Sequence, residues 1–298
     1  MANPKGFREF ESLRLRKNRE CIHDQILRSA EYEYEVRQYS TSAQYAILSI
    51  LTIIMKNAIA IENLKKTYKD KKGDKEILHG INLEIPRGQF FGLLGPNGAG
   101  KTTTISCITG ISSPTEGTIA VMGHDVVTEY RAARASVGLS PQEFNIDTFQ
   151  TVDEILDYQA GFFGIIGSEM KERREEMLHK FDLVSHRDKK FQFLSGGLKR
   201  RATLAKAMMH DPDVLILDEP TAGVDVETRH ALWKFLRELH AGGKTILLTS
   251  HYLEEVEALC ERVAIIKDGM ILMDDSVKKL TEDKSLEKVY LEAVGHVA

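Results

Sequence analysis

The run Gly95-Pro96-Asn97-Gly98-Ala99-Gly100-Lys101-Thr102-Thr103 fits the pattern G-x-x-x-x-G-K-[ST]. Glycines at this spacing let backbone N–H groups turn inward around phosphate oxygens, and a helix opening directly afterwards adds unpaired donors and partial positive charge. Lys101 is then placed to reach the β- and γ-phosphates of a nucleoside triphosphate, and Thr102 to offer a hydroxyl to Mg2+. The pattern carries this chemistry only between a strand and a helix. Phe90-Phe91-Gly92-Leu93-Leu94 reads as the strand, and the stretch from Lys101 toward Ile108 as the helix.

Further apolar runs end in groups suited to the same chemistry. Val137-Gly138-Leu139 leads through Ser140-Pro141 to Gln142, Val214-Leu215-Ile216-Leu217 to Asp218-Glu219, and Thr245-Ile246-Leu247-Leu248 to Thr249-Ser250-His251. Ligands of open parallel sheets lie at the carboxyl ends of the strands, so these side chains are expected at one edge. Asp218 is placed to hold Mg2+ through water. Glu219, on the other side, is the candidate general base for an attacking water. Taken singly, Gln142 or His251 would be a hydrogen-bonded structural residue; their common position points to the site. Leu194-Ser195-Gly196-Gly197-Leu198-Lys199-Arg200-Arg201 forms a second anion-seeking helix start. Ser195 is its N-cap, and Leu198, Ala202, Ala205 and Met209 continue a helical apolar face.

The elements that must hold these groups alternate strand and helix, which predicts an α/β fold with a parallel sheet buried on both faces. Val263-Ala264-Ile265-Ile266 is a further buried strand. Ala58-Ile59-Ala60-Ile61 and Ile81-Asn82-Leu83-Glu84-Ile85 flank the lysine-rich stretch Lys65 to Lys75, expected as an antiparallel edge with a solvated hairpin. Between Phe149 and His210 the pattern is almost wholly helical. The 298 residues allow one or two domains, and a net charge of −4, from 40 Lys+Arg against 44 Asp+Glu, gives no reason to expect a nucleic-acid partner. Cys21, Cys107 and Cys260 are too widely spaced for a disulfide framework or a zinc site. The longest apolar run, Ala46 to Met55, is about half of the roughly 20 residues that span a bilayer. Residues 1–54 differ in kind from the rest and are expected either as a poorly ordered extension or as sequence preceding a natural start at Met55.

From about Ile59 to Met273 the chain resembles an ATP-binding cassette (ABC) ATPase, the nucleotide-binding subunit of a transporter. Gly95 to Thr103 looks like Walker A, Val214 to Glu219 like Walker B, and Leu194 to Leu198 like the signature motif that separates this family from other P-loop ATPases. The resemblance implies a P-loop (RecA-like) core with an antiparallel β subdomain and a helical insertion, over residues 55–298, with the helical part at about 143–210 and a short tail at about 274–298. It makes Gln142 the Q-loop glutamine that touches Mg2+, Asp225 the D-loop aspartate linking two sites, His251 the switch histidine and Tyr68 the aromatic residue stacked on adenine. It also implies a head-to-tail homodimer sandwiching ATP between Walker A and the partner copy's Ser195, Gly196, Gly197 and Leu198, and a polytopic membrane permease subunit holding the chain at the cytoplasmic face of the cell membrane. Leu198 departs from the glutamine that the family most often has there. Leu198-Lys199-Arg200-Arg201, Pro220-Thr221-Ala222-Gly223-Val224-Asp225 and His251-Tyr252-Leu253-Glu254-Glu255 resemble the branch of exporters of drugs, lipids or polysaccharides. The alternative within the family, an ATPase acting on ribosomes or DNA, usually brings paired cassettes, long coiled coils or a basic surface, and none is visible in this sequence.

Overall fold

The computed structural model describes residues 56–70 and 73–295. The expectations for residues 1–54, including a start at Met55, lie outside the described residues. The chain opens with a long hairpin, β1 (Asn57–Asp70) and β2 (Gly73–Pro86), followed by β3 (Phe90–Leu94), α1 (Lys101–Ile108), β4 (Glu116–Val121), β5 (His124–Asp125), α2 (Tyr130–Ala135) and β6 (Val137–Ser140). Three helices follow, α3 (Val152–Phe162), α4 (Gly167–Lys180) and α5 (Gly196–Met208). The chain then returns to strands with β7 (Val214–Asp218), α6 (Val226–Ala241), β8 (Thr245–Ser250), α7 (Leu253–Leu259), β9 (Arg262–Lys267) and β10 (Met270–Ser276), and ends in α8 (Val277–Leu280) and α9 (Leu286–Ala293).

Two sheets result. One is antiparallel, in the order β2-β1-β4-β5; the other has the order β10-β9-β3-β8-β7-β6. In the second, β9, β3, β8, β7 and β6 run parallel and only β10 is antiparallel. Its central strands bury both faces, as their unbroken apolar runs require. Phe90 and Leu94 of β3 join Leu215 and Leu217 of β7 in a core with the helices α3 to α6, whereas Phe91, Leu93, Val214 and Ile216 face α1 and the antiparallel sheet. Side chains of this size are each worth about 1.5–3 kcal/mol when fully buried. The strand ends that carry the site therefore rise from the most deeply packed part of the molecule.

The lysine-rich stretch differs from its expectation. β1 continues through Lys65 to Asp70 and pairs with β2 as far as Gly73, so the solvated hairpin is strand nearly to its tip. Its polar residues are tolerated because backbone pairing continues while the side chains of Lys65 to Lys69 lie at or near the surface. Residues 274–295 are also more than a tail: β10 runs on to Ser276, and Leu286 and Val289 of α9 are buried in the helical-side core.

The helical stretch is fastened by polar devices. Thr151 and Glu154 form a reciprocal capping box at the start of α3. Arg187 then ties the beginning of α3, through Asp153 at 2.7 Å, to α4, through Glu175 at 2.7 Å.

Candidate functional site

Between β3 and α1 the chain forms a tight cradle. A side chain at Gly95 would place its Cβ 2.3 Å from the carbonyl oxygen of Ile266, and Gly100, at φ 109°, would bring one 2.7 Å from Leu78. Glycine is required at both, once by close approach and once also by backbone conformation. Gly98 also has positive φ, Ala99 N–H bonds to Pro96 O, and Ala99 O accepts from Gly269 N–H. Pro96, Asn97 and Gly98 form the outer rim. Thr102 and Thr103 stand in the first turn of α1, where the opening N–H groups have no carbonyl one turn back to pair with and so can face an anion.

Lys101 is buried beneath this loop, its Nζ donating to Gly95 O at 2.7 Å and Pro96 O at 3.3 Å and lying 3.7 Å from Glu219 Oε1. Burial pulls its ammonium below the ordinary lysine range, and the Glu219 and Asp218 carboxylates oppose that shift. A buried cation held mainly by carbonyls is poised to accept a phosphate as partner.

The ends of β6, β7 and β8 converge on the same place. Asp218 accepts from Thr102 Oγ1 at 3.3 Å and from Thr249 Oγ1 at 2.5 Å. Glu219, only 7% exposed, accepts from Gln142 Nε2 at 3.1 Å, and His251 Nδ1 lies 3.2 Å from the same Oε2 atom. Its backbone has φ 48°, in the left-handed region that few non-glycine residues enter, and its N–H is anchored to β8 through Thr249. One carboxylate thus meets a lysine, a glutamine amide and an imidazole. The arrangement can hold a polyphosphate on Lys101, a divalent cation beside Thr102 and Asp218, and a water against Glu219.

The remaining candidates stand apart from this cluster. Ser195 caps α5, its Oγ accepting from Leu198 N–H, and a Cβ at Gly197 would meet the Thr228 methyl at 3.0 Å. Leu198 packs on the helical-side core and lines a cleft of about 560 Å³ with Phe181, Leu232 and Phe235, which gives the apolar side chain a physical reason. Asp225 is exposed and caps α6 through Thr228 N–H and Oγ1, bonds that hold its carboxyl below the usual range. Tyr68 is exposed on β1 with the Lys66 ammonium 4.8 Å above its ring. Among the described contacts, none joins the phosphate loop to Ser195, Gly196, Gly197, Leu198, Asp225 or Tyr68.

Three supporting residues lie inside the motif stretches, but the sequence gives no sign of what each one holds. Thr249 bridges Asp218 and the Glu219 backbone. Arg200, one turn into α5, is buried and reaches the loop after β6. Glu255, fully buried in α7, accepts from Ser250 Oγ at 2.7 Å and Trp233 Nε1 at 3.1 Å, joining the end of β8 to α6; burial raises its carboxyl pKa. Their partners lie 5 to 59 residues away along the chain, so spacing alone could not show them.

Residues 78–222 match the family described as ABC transporter. Nod factor export ATP-binding protein I of Paraburkholderia xenovorans (strain LB400) is 45% identical over 212 residues, 71% of this chain and 68% of that protein. Among solved structures, cbiO1 from Clostridium perfringens, part of the ABC transporter complex cbiONQ, superposes with a TM-score of 0.68 at 29% identity over 81% of this chain and 98% of its own. A dimeric ATP-binding cassette in a post-hydrolysis state, bound to ADP and Pi, superposes with a TM-score of 0.67 at 27% identity over 74% of this chain and 98% of its own.

Proposed function

The chain belongs to the ABC transporter family and is an ATP-hydrolysing subunit of an ATP-driven transporter, and from that premise we propose that it drives export, with its hydrolytic centre at the edge where β3, β6, β7 and β8 end. The carrying observation is the convergence on Glu219: Lys101, Gln142 and His251 all reach one buried carboxylate. Lys101, with backbone N–H groups of the loop between Asn97 and Thr103, binds the β- and γ-phosphates. Glu219 takes the proton of the attacking water, and His251 orients that water and the γ-phosphate. Tyr68 offers its ring to the adenine; such stacking is worth on the order of 1 kcal/mol.

The donor set suits Mg2+, because the Thr102 hydroxyl and Asp218 carboxylate already share a hydrogen bond and are hard oxygen ligands. Thr102, Asp218 and Gln142 would hold the ion, which supplies charge neutralisation on the phosphates. No cluster of three His, Cys, Asp or Glu ligands occurs among the described residues, as fits an ion whose other ligands are phosphate and water.

Two copies complete the site in this reading. Ser195, Gly196, Gly197 and Leu198 do not meet the phosphate loop of their own chain, so they serve the ATP held by the partner copy, with Asp225 linking the two sites. The dimeric form of the solved relative supports this. The transport path belongs to a separate polytopic permease subunit at the cytoplasmic face of the membrane; no helix among the described residues is long and apolar enough to cross one. Residues 55–298 form the cassette, and the helices within 143–210 pass motion to the permease. Tyr158, Phe162 and Ile166, exposed on α3 and the turn after it, supply an apolar surface for that contact. Export follows the Nod factor export relative.

ATP turnover by the purified full chain tests the hydrolytic reading. Glu219→Gln is expected to keep ATP binding and lower turnover by roughly 100-fold or more, the range lost with a positioned base. Turnover at the unsubstituted rate would remove Glu219 from that role.

A further inference from the structure

We propose that Arg200 is a positioning residue that fixes the backbones of Gln142 and Glu219 to each other and couples both to the signature helix. It rests on the hydrolytic role assigned to Glu219 above. Arg200 is 3% exposed and sits in the second turn of α5, the helix whose first turn begins at Ser195 to Leu198. Its Nη1 donates to Pro141 O at 2.9 Å, and its Nη2 to Gln142 O at 3.4 Å and Glu219 O at 3.5 Å. The first two carbonyls lie on either side of the Gln142 α-carbon. The third belongs to the residue whose carboxylate accepts from the Gln142 amide. One planar guanidinium therefore staples the main chains of the two residues whose side chains meet in the site.

An arginine is costly here. It lies near the positive end of a helix, where a cation is disfavoured, and burial lowers its pKa against the pull of the Glu255 and Asp218 carboxylates. Its Nε has no hydrogen-bond partner among the described residues. The Phe144 ring, centred 5.0 Å from the guanidinium carbon, and the three carbonyls are what hold it. A packing role would be met by leucine or methionine without these costs. Guanidinium geometry is needed only if several fixed acceptors must be bridged at once, because its donors form a rigid fork that a lysine ammonium cannot reproduce. A displacement of α5 when its N-terminus engages a nucleotide would be passed to the backbones of Gln142 and Glu219 by this side chain.

The test compares Arg200→Lys and Arg200→Met in the full chain with Gln142→Ala and the double variant Gln142→Ala/Arg200→Met. Folding is followed by thermal unfolding, and ATP turnover is resolved into kcat and KM. A positioning role predicts a kcat about 10-fold or more lower for Arg200→Met with KM for ATP changed by less than about 3-fold, since Lys101 and its loop are untouched. Arg200→Lys, which can hold one carbonyl, is expected to recover part of the loss. The double variant should lose little more than Gln142→Ala alone, because both substitutions act on the same contact. A folded Arg200→Met chain with unchanged kcat, or losses in the double variant that multiply, would overturn the proposal. Should Arg200→Met fail to fold, Arg200→Lys decides: unchanged kcat in a folded protein refutes the role, and a kcat-specific loss supports it.

Discussion

The phosphate loop and the signature stretch are both glycine-bearing helix starts, yet the molecule treats them differently. The loop is bound into its surroundings: Lys101 is buried, Gly95 is pressed against Ile266, and Asp218 and Glu219 are tied to β8. In the signature stretch Ser195 and Gly196 are exposed, Ser195 bonding among the described residues only to the first turn of its own helix through Leu198 N–H and Lys199 N–H, and Gly197 is half-buried beside Thr228. A site that binds a small anion by itself needs the first kind of setting, with donors fixed in advance. A surface that must meet a ligand brought by another molecule needs the second, with donors left open. On the two-copy reading, the two halves of the proposed nucleotide site are both present in one chain but are offered to different nucleotides.

The largest expected effect tests the self-contained half. Lys101→Ala should reduce ATP affinity by on the order of 100-fold or more, because a charged, desolvated phosphate contact is lost; equilibrium binding of a fluorescent ATP analogue measures it, and unchanged affinity would break the comparison. The open half should respond otherwise. Gly197→Val forces a side chain against Thr228, so turnover should fall about 10-fold or more while ATP binding by the separate chain is kept. Mixing the Lys101→Ala and Gly197→Val chains then sharpens the contrast, since a mixed pair holds one site with both halves intact. Recovered turnover is expected, and no recovery at any mixing ratio would refute the two-copy reading.

Smaller effects concern the supports of each half. Thr249→Val removes the hydroxyl shared by Asp218 and the Glu219 N–H and should cost about 1–3 kcal/mol of stability, read from the denaturant midpoint. His210, just beyond α5, is stacked on Phe163 and bonded to Val137 O, and burial lowers its pKa to about 4 from the ordinary 6.5. The unfolded chain therefore takes up that proton first, so the contribution is complete above about pH 6.5 and is lost as pH falls toward about 4. His210→Gln should flatten the fall in melting temperature between about pH 7 and about pH 5. An unchanged slope would show that other groups set the acid sensitivity.

Much of this was legible because the loop, Asp218-Glu219 and the signature are contiguous motifs, and because bare apolar runs mark strands buried on both faces. β4 and β5 were not legible: only Ile119 and Val121 of β4 are buried, and β5 is two residues long. Polarity hid the strand character of Lys65 to Asp70, whose backbone pairs although the side chains of Lys65 to Lys69 lie at or near the surface. The supports of the site were hidden for another reason. Arg200 and Thr249 act on atoms 19 to 59 residues away, at positions only the folded sheet brings together. That Gly197 would abut Thr228 likewise depends on how α5 and α6 pack.

The left-handed backbone of Glu219 has an evolutionary consequence. A residue held there costs on the order of 1 kcal/mol relative to a conformation it prefers. Selection for stability alone would favour glycine at this position, or asparagine after it, and neither carries a side chain that reaches Lys101, Gln142 and His251 together. On the proposed hydrolytic role, glutamate at 219 is thus a small standing debt of stability kept for activity, and a library screened only for heat resistance should drift away from it.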